Sequence, residues 1–201
     1  MKSTEVLKAI QNRFACKNYQ DTPIAKEDLD AICEAGRLTP TSFGMEHFDI
    51  HVYRSSDILD VCFYQESMKT APITMVLTVK KAKYYDPDGA FVKARGVRFP
   101  GTVEAYVEDF RGYYEFLRDG GKLDMWAKAQ TYIALGNMMT AASELGIESC
   151  AIEGFNNEKL IERMGLSNEE DQVGIVCAFG YPKETRERIR REFDDVVKYH
   201  I

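Results

Sequence analysis

Residues 126–145, WAKAQTYIALGNMMTAASEL, carry apolar side chains at helical spacing, and these side chains fall on most sides of the helix. A helix of this kind is buried among other elements, because a surface helix has a single apolar stripe. The sequence therefore predicts a helix in the middle of the molecule, ending at Gly146.

Four short segments around this helix have the character of strands. Residues 73–79, ITMVLTV, and 172–181, QVGIVCAFGY, are almost continuously apolar, which is typical of strands buried on both faces. Residues 47–53, HFDIHVY, alternate polar and apolar side chains, as a half-buried strand does. A further short strand is predicted at residues 147–152.

Helical segments alternate irregularly with these strands, and this order favours a layered α+β domain. We predict amphipathic helices at residues 6–14, 29–36, 57–69 and 157–164.

Length and charge restrict the class of protein. The chain has 201 residues, 45% of them hydrophobic, and no linker that would separate two domains, so we expect one domain over residues 1–201. Its 26 Lys and Arg against 32 Asp and Glu give a net charge of −6, which disfavours a nucleic-acid partner. No apolar run approaches the ~20 residues that span a bilayer, and no signal peptide is evident, so we expect a soluble, cytoplasmic protein without a membrane partner.

Residues 80–121 differ from the rest of the chain and predict a lid or insertion. They hold a cluster of lysines, the turn YYDPDG, the sequence FPG and then five aromatic residues. Two interpretations stay open for these aromatic residues, ordinary packing and a wall of a substrate site.

The five cysteines form no CxxC pair, and their number predicts neither a disulfide framework nor a zinc ribbon. Cys16 lies between Arg13 and Lys17, whose positive charges would lower the pKa of a thiol. One hypothesis therefore makes Cys16 a nucleophile, although no histidine lies near it in sequence to serve as a base.

His47, Asp49 and His51 would share one face of a strand and suggest a two-His-one-carboxylate metal site. Alternate strand positions spread these side chains over ~13 Å of chain, too far for one ion unless the strand is broken. A solvated polar face is the alternative, and we assign no metal ligand.

The usual phosphate-binding motifs, GxGxxG and GxxxxGK[ST], are absent, and so is the GxSxG nucleophile motif. Positive charge is instead concentrated at Arg13 and Lys17 and among four arginines at residues 186–191. These clusters could converge on one phosphate, or each could be a solvated face. Two further segments, TPTSFG at 39–44 and AIEGF at 151–155, are considered together with these clusters. The glycine of AIEGF would let the backbone approach a flat ligand closely.

Taken together and in this order, the segments resemble the nitroreductase family of FMN-dependent oxidoreductases, particularly its oxygen-insensitive NAD(P)H nitroreductase and dihydropteridine reductase branch. The similarity runs almost from end to end. It implies an α+β nitroreductase-like fold, with a central, mostly antiparallel sheet flanked by helices, and an intertwined homodimer. The matching segments are RFACK at 13–17, TPTSFGMEHF at 39–48, AP at 71–72, WAKAQTYIALGN at 126–137, AIEGF at 151–155, and GYP at 180–182 with the arginine-rich tail.

The resemblance also implies which residues hold FMN. Arginines 13, 188 and 190 would bind the phosphate, and Lys17 would lie near the pyrimidine edge of the flavin, where a cation stabilises the reduced ring. Backbone N–H groups of residues 153 and 154 would face flavin N5, and the turn at 40–44 would reach the flavin of the second subunit. The full implied set is Arg13, Phe14, Ala15, Lys17, Pro40, Thr41, Ser42, Gly44, Gln65, Ile152, Glu153, Gly154, Arg188 and Arg190.

Several positions depart from the family pattern, and they bear on substrate preference. Ala15 replaces a serine that often helps to hold phosphate, Gly44 replaces a common asparagine, and residues 46–48, EHF, replace Gln-Pro and an aromatic residue.

The function implied is an enzyme that takes a hydride from NADH or NADPH onto FMN and passes two electrons to a small-molecule acceptor by ping-pong chemistry. Nitroaromatics, quinones or free flavin would be acceptors, and a deiodinase or enoate-type reductase on the same scaffold stays an alternative. The flavin would carry the chemistry, so no catalytic side chain is assigned. A flavin-binding storage or sensor protein with little turnover is the alternative from another class.

Overall fold

A four-stranded antiparallel sheet lies at the centre of the computed structural model, which describes residues 4–201. Every residue of the long central strand is buried, so that strand is covered on both faces, as its sequence predicts. The predicted α+β fold with an antiparallel sheet is confirmed. In order across the sheet, the strands are β1 (Phe48–Arg54), β2 (Ile73–Lys80), β4 (Asp171–Gly180) and β3 (Glu148–Ile152).

The pairing of β2 with β4 contains one irregularity. Leu77 lies opposite Ile175 and Thr78 opposite Val173, so Gly174 is left out of the register as a bulge. A β-carbon on Gly174 would lie only 2.4 Å from Oγ1 of Thr131, a residue of the predicted central helix. Glycine at this position therefore allows the helix to lie directly on the sheet.

The helices lie around this sheet, and side-chain oxygens of Thr4, Thr102 and Asn156 cap the N-termini of three of them. The longest, α6, begins three residues before the predicted start. The helices are α1 (Glu5–Asn12), α2 (Lys26–Arg37), α3 (Glu66–Thr70), α4 (Ala90–Gly96), α5 (Val103–Asp119), α6 (Leu123–Glu144), α7 (Asn157–Arg163) and α8 (Phe193–Val196).

Helix α6 buries one side and exposes the other. On the sheet side, Ala134 and Met138 belong to the same apolar cluster as Ile175 of β4. On the opposite side, Tyr132 and Ile133 are 46% and 48% exposed. The prediction that this helix is buried is therefore correct for the side that packs on the sheet. Its other side is an apolar face that is exposed in the single chain.

Residues 80–121 form a short 3₁₀ helix, Ala82–Tyr85, followed by α4 and α5. Tyr106 and Phe110 of α5 are buried in an apolar cluster that also contains Trp126 of α6. The rings of Phe110 and Trp126 have their centroids 5.8 Å apart. Packing therefore accounts for these two aromatic residues of the segment.

The predicted helix at residues 57–69 is wrong for most of its length, because only Glu66–Thr70 is α-helical. Phe63 and Tyr64 both have φ of 51°, and two consecutive residues in the left-handed region end any helix. Their side chains are exposed, so burial does not favour a helical conformation at these two residues. The resulting bend is the feature that brings Gln65 to the site described below.

His47 lies just before β1 and is buried between aromatic rings. Its ring stacks on Trp126, with centroids 4.8 Å apart, and meets the ring of Tyr85 edge-on at 5.4 Å. Burial, assisted by the nearby charge of Arg95, lowers the pKa of His47 to about 4. The imidazole is therefore neutral in the folded protein across the physiological range.

We expect the free energy of unfolding to fall as the pH is lowered from 7 to 4.5, because unfolding releases a histidine whose ordinary pKa is about 6.5 and which then binds a proton. The folded pKa is depressed, so this stability is present above pH 6.5 and is lost toward pH 4. From the two pKa values, the contribution of His47 is roughly 2 to 3 kcal/mol over that interval. Urea denaturation at several pH values measures it.

His47→Phe keeps an aromatic ring in the stack and should remove this part of the pH dependence. His200→Gln, which changes an exposed histidine, is the matched control and should leave the pH dependence as in the wild type. Equal slopes for wild type and His47→Phe would contradict the assignment.

Candidate functional site

The segment that contains Arg13 and Lys17 lies along the edge strand β3. Ala15 forms a parallel bridge with Ser149, and the N–H of Cys16 donates to the carbonyl of Ser149 at 3.3 Å. The N–H of Phe14 donates to Oε2 of Glu148 at 3.0 Å. This pairing brings the predicted N-terminal residues to the same strand that leads into residues 153 and 154.

Lys17 is held at both its backbone and its side chain. Its N–H donates to Oε1 of Glu184 at 2.6 Å, which ties the segment to the start of the C-terminal tail. Its ammonium lies 2.9 Å from Sγ of Cys150 on β3. The charge of Lys17 is therefore directed onto β3, toward the part of the strand that precedes Gly154.

Two of the three arginines predicted to bind phosphate, Arg13 and Arg188, lie near enough to Glu148 for their charges to act on its carboxylate. The carboxylate of Glu148 is largely buried, and burial raises its pKa, whereas the nearby charges of Arg13 and Arg188 act to lower it. Among residues 4–201, Nε of Arg188 and Oγ of Ser149 are buried without a hydrogen-bond partner. A buried donor without a partner is costly, so each of these two groups has an unused hydrogen-bonding capacity in the single chain.

Arg190 is placed differently from the other two arginines. It is exposed, and its guanidinium donates to the carbonyl of Ile189 at 3.1 Å. In the single chain it therefore does not join the cluster around Glu148.

Glu148 and Ser149 were not predicted to belong to the site. In the sequence they are recognisable only as a glutamate and a serine within the short apolar strand predicted at residues 147–152. A carboxylate buried in such a strand requires cationic or hydrogen-bonding neighbours. The sequence does not show where those neighbours lie, because they come from both ends of the chain.

The loop that follows β3 is in close contact with Gln65. A β-carbon on Gly154 would lie 2.4 Å from Nε2 of Gln65, so the side chain of Gln65 rests directly on this glycine. Ile152 is buried in the core beneath the loop, whereas the side chain of Glu153 is exposed and accepts a hydrogen bond from the hydroxyl of Tyr132 at 2.8 Å. Tyr132, on the exposed side of α6, was not predicted.

The turn after α2 forms a second group of predicted residues. Residues Ser42–Gly44 form a 3₁₀ turn in which Phe43 and Gly44 have φ of 56° and 57°. The N–H of Ser42 donates to Oε1 of Gln130 on α6 at 2.9 Å, and the hydroxyl of Thr41 accepts from the N–H of Glu46 at 2.8 Å. Pro40 is exposed at the start of the turn.

The two groups stay separate within one chain. Over residues 4–201, no hydrogen bond joins the turn at 40–44 to the segment at 13–17 or to the loop at 153–154. Helix α6 lies between them, because it contacts the turn through Gln130 and the loop through Tyr132.

Cys16 does not fit the hypothesis of a reactive nucleophile. Its side chain is fully buried, and burial raises the pKa of its thiol to about 11 in spite of the cationic neighbours in sequence. Sγ donates to the carbonyl of Asn18 at 3.1 Å. The thiol is therefore protonated at neutral pH and acts as a packing group.

The His47, Asp49 and His51 motif is dispersed. His47 is buried before the strand begins, and Nε2 of His51 lies 3.0 Å from the hydroxyl of Thr78. Across residues 4–201, no group of three or more His, Cys, Asp or Glu side chains is placed to hold a metal ion. In the same part of the chain, no helix combines the length and the apolar character needed to cross a membrane.

Comparison with known proteins agrees with this arrangement of elements. The model of the Nitroreductase family matches residues 10–181. The Bacillus subtilis protein YfkO, named for a proposed NAD(P)H nitroreductase activity, is 30% identical over 98% of this chain and 97% of its own length. A Haemophilus influenzae protein named for the same proposed activity is 31% identical over 97% of this chain and 96% of its own length.

Solved structures share the fold at lower identity. A nitroreductase-like protein from Streptococcus mutans superposes with a TM-score of 0.80 at 14% identity, covering 96% of this chain and 97% of its own. A protein from Exiguobacterium sibiricum, assigned as a nitroreductase and crystallised in complex with FMN, superposes with a TM-score of 0.77 at 15% identity, covering 99% of both chains. The family match over residues 10–181 and the relatives at about 30% identity along nearly the whole chain establish that this protein belongs to the nitroreductase family.

Proposed function

We propose that this protein is an FMN-dependent oxidoreductase that takes a hydride from NADH or NADPH and passes two electrons to a nitroaromatic, quinone or flavin acceptor. The two substrates would occupy the same pocket in turn, as in a ping-pong mechanism. The observation that carries the proposal is the convergence of Arg13 and Arg188 on β3, beside Lys17 and the Gly154 loop. The FMN complex of the related fold and the names of the relatives agree with it.

The cluster around Glu148 fits the phosphate of FMN. Arg13 and Arg188 supply positive charge from the two ends of the chain, and Nε of Arg188 and Oγ of Ser149 are buried donors without partners among the described residues. Guanidinium groups bind phosphate through charge-assisted hydrogen bonds. Ser149 would also compensate for the serine that Ala15 replaces, because the two residues are paired.

The groups near Gly154 fit the isoalloxazine ring. Among residues 4–201 the backbone N–H of Gly154 donates no hydrogen bond, and the carboxamide of Gln65 is held against this glycine. The ammonium of Lys17 supplies a positive charge at the same strand. When bound there, FMN would supply the hydride-accepting atom, and the role of these residues would be to orient the ring and to set the electrostatic potential around it.

The chain supplies little acid–base chemistry of its own, which agrees with a cofactor enzyme. His47 is buried in an aromatic stack, the ring of His51 is paired with Thr78, and His200 is exposed next to the C-terminal residue. The proposal therefore assigns binding and positioning to the side chains and leaves no catalytic residue among the histidines.

We also propose that the protein acts as a homodimer in which the turn at residues 40–44 contacts the flavin of the partner subunit. Within one chain this turn has no hydrogen bond to the cluster on β3 among residues 4–201. The exposed apolar side of α6, with Tyr132 and Ile133, lies between the two groups and is a surface that a second subunit would cover. Residues 80–121 would form a lid beside the turn.

Flavin content and turnover of the purified protein test the proposed function. Purified protein is expected to be yellow, to lose its flavin absorbance under NADPH or NADH without oxygen, and to oxidise the nicotinamide steadily when a nitroaromatic or quinone is added. Absorbance of flavin and nicotinamide measures both events. A yellow protein that supports no steady oxidation would instead favour the storage or sensor function, and protein that binds no FMN would contradict both.

Two substitutions at the phosphate site should change the affinity for FMN in opposite directions. Arg188→Ala is expected to weaken FMN binding by about 1.5 to 3 kcal/mol, because a charge-assisted hydrogen bond to phosphate is lost. Glu148→Gln keeps an acceptor for the N–H of Phe14 but removes a negative charge beside the phosphate. We expect it to tighten FMN binding by roughly 1 kcal/mol, or about fivefold.

Titration of apoprotein with FMN, followed by flavin fluorescence, measures both effects. Arg191→Ala is the matched control, because Arg191 is exposed and its guanidinium donates to the backbone of Asp195. Arg190→Ala tests the resemblance directly, since Arg190 lies outside the cluster in one chain. Weaker binding in Glu148→Gln, with the fold intact, would argue against a phosphate at this position.

The dimer is tested by sedimentation. We expect the FMN-loaded protein to sediment as a dimer at micromolar concentration, and Ile133→Glu to produce a monomer that also retains less FMN, because the partner's turn completes the site. Val97→Glu, which places the same charge on an apolar residue after α4 that is even more exposed, is the control. A compact wild-type monomer with full FMN content would contradict the proposed assembly.

A further inference from the structure

A cavity of about 240 Å³ lies between the turn after α2 and the helices of residues 80–121. Phe43, Phe99 and Tyr106 give it aromatic walls, and the rings of Phe99 and Tyr106 have centroids 5.3 Å apart. Phe43 is held on its other side by Phe110, with centroids 5.1 Å apart. The lining is therefore largely aromatic and suited to a flat apolar ring.

Gly96 explains why Tyr106 can form one of these walls. A β-carbon on Gly96 would lie 2.6 Å from the ring of Tyr106, so α4 and α5 meet in direct contact at this point. Arg95 and Arg98, on either side of this glycine in sequence, both line the cavity. The close contact of the two helices thus brings two guanidinium groups to an aromatic pocket.

The charged groups in the lining leave one positive charge without a partner. Arg98 forms an ion pair with Glu46, whereas Arg95 rests on the ring of Phe91, with its guanidinium carbon 4.8 Å from the ring centroid. Within residues 4–201, Nε of Arg95 and the hydroxyl of Tyr106 are buried without hydrogen-bond partners, and Tyr106 is 1% exposed. The net charge of the lining is therefore +1, with two unsatisfied donors.

We infer that this cavity binds a small aromatic monoanion, an aromatic carboxylate, and that the acceptor of the enzyme is an aromatic acid bearing a reducible nitro or quinone group. The ring would pack against Phe43, Phe99 and Tyr106, and the carboxylate would accept hydrogen bonds from Arg95 and Tyr106. The cavity is smaller than the ~300 to 1,000 Å³ of sites for drug-sized ligands, so it suits a single ring and excludes a dinucleotide.

This inference rests on the proposed function, because the link to electron transfer depends on the turn at 40–44. Phe43 and Gly44 belong both to that turn and to the cavity lining. If the turn contacts the partner subunit's flavin, a ligand in the cavity extends from the flavin site. Binding of the anion itself depends only on the cavity and can be measured without turnover.

The kinetic test compares 4-nitrobenzoate with 4-nitrobenzamide, two acceptors of similar shape that differ in charge. On the FMN-loaded enzyme, the ratio of kcat/KM for the acid to kcat/KM for the amide is expected to fall about tenfold or more in Arg95→Gln, as a charge-assisted hydrogen bond is lost. Glu46→Gln should raise the same ratio severalfold, because it releases Arg98 from its ion pair. Comparing ratios between variants cancels the different intrinsic reactivities of the two acceptors.

Arg37→Gln is the matched control, since Arg37 is an exposed arginine of α2 paired with Glu34 and lies outside the cavity lining. Its ratio should equal that of the wild type. The substitution Glu46→Gln changes an exposed residue, so it keeps the test valid even if Arg95→Gln fails to fold. Normal FMN content and normal turnover of the amide, with ratios within about twofold of wild type in both cavity variants, would overturn the inference and leave the proposed function intact.

Equilibrium dialysis of 4-nitrobenzoate against the oxidised protein gives a readout that does not depend on turnover. Wild-type protein should bind the acid, Glu46→Gln should bind it more tightly, and Arg95→Gln should bind it about tenfold or more weakly. Absence of FMN binding and of nicotinamide oxidation would refute the proposed function, whereas equal binding of acid by wild type and Arg95→Gln would refute the anion site.

Discussion

The contact of Thr131 with Gly174 is the constraint on which the rest of this structure depends. Because a β-carbon at Gly174 would collide with Thr131, α6 lies against β4 at a distance that other residues would not permit. The position of α6 then determines three other parts of the molecule. Gln130 holds the turn at 40–44, Tyr132 holds the loop after β3, and Trp126 anchors the aromatic cluster of residues 80–121.

The electrostatics of the candidate site oppose the net charge of the protein. The chain carries a net charge of −6, yet Arg13, Lys17 and Arg188 all lie near the edge strand β3. Two contacts hold this arrangement: the N–H of Phe14 to Glu148, and the N–H of Lys17 to Glu184. Carboxylates thus position the backbone that carries the cations.

Local backbone strain is concentrated at both parts of the candidate site. The non-glycine residues with positive φ among residues 4–201 are Phe43 in the turn, Glu46 just after it, and Phe63 and Tyr64 before Gln65. Such conformations cost free energy and persist only where surrounding contacts enforce them. Here they direct Phe43 into the aromatic cavity and Gln65 onto Gly154.

The sequence by itself determined the elements whose patterns are long and regular. The continuously apolar strands and the central helix were predicted close to their observed bounds, because burial on both sides leaves a periodic record in the residues. The charges adjacent in sequence gave a wrong expectation for Cys16. Arg13 and Lys17 flank it, but the thiol is buried beside β3, and burial raises its pKa. The helix predicted at 57–69 failed because two strained residues break it. Only the tertiary structure decided that Arg13 and Arg188 both lie near Glu148, while Arg190 is exposed. Arg13 and Arg188 are 175 residues apart in the chain, and the packing around the edge strand, not a local pattern, brings them to one region.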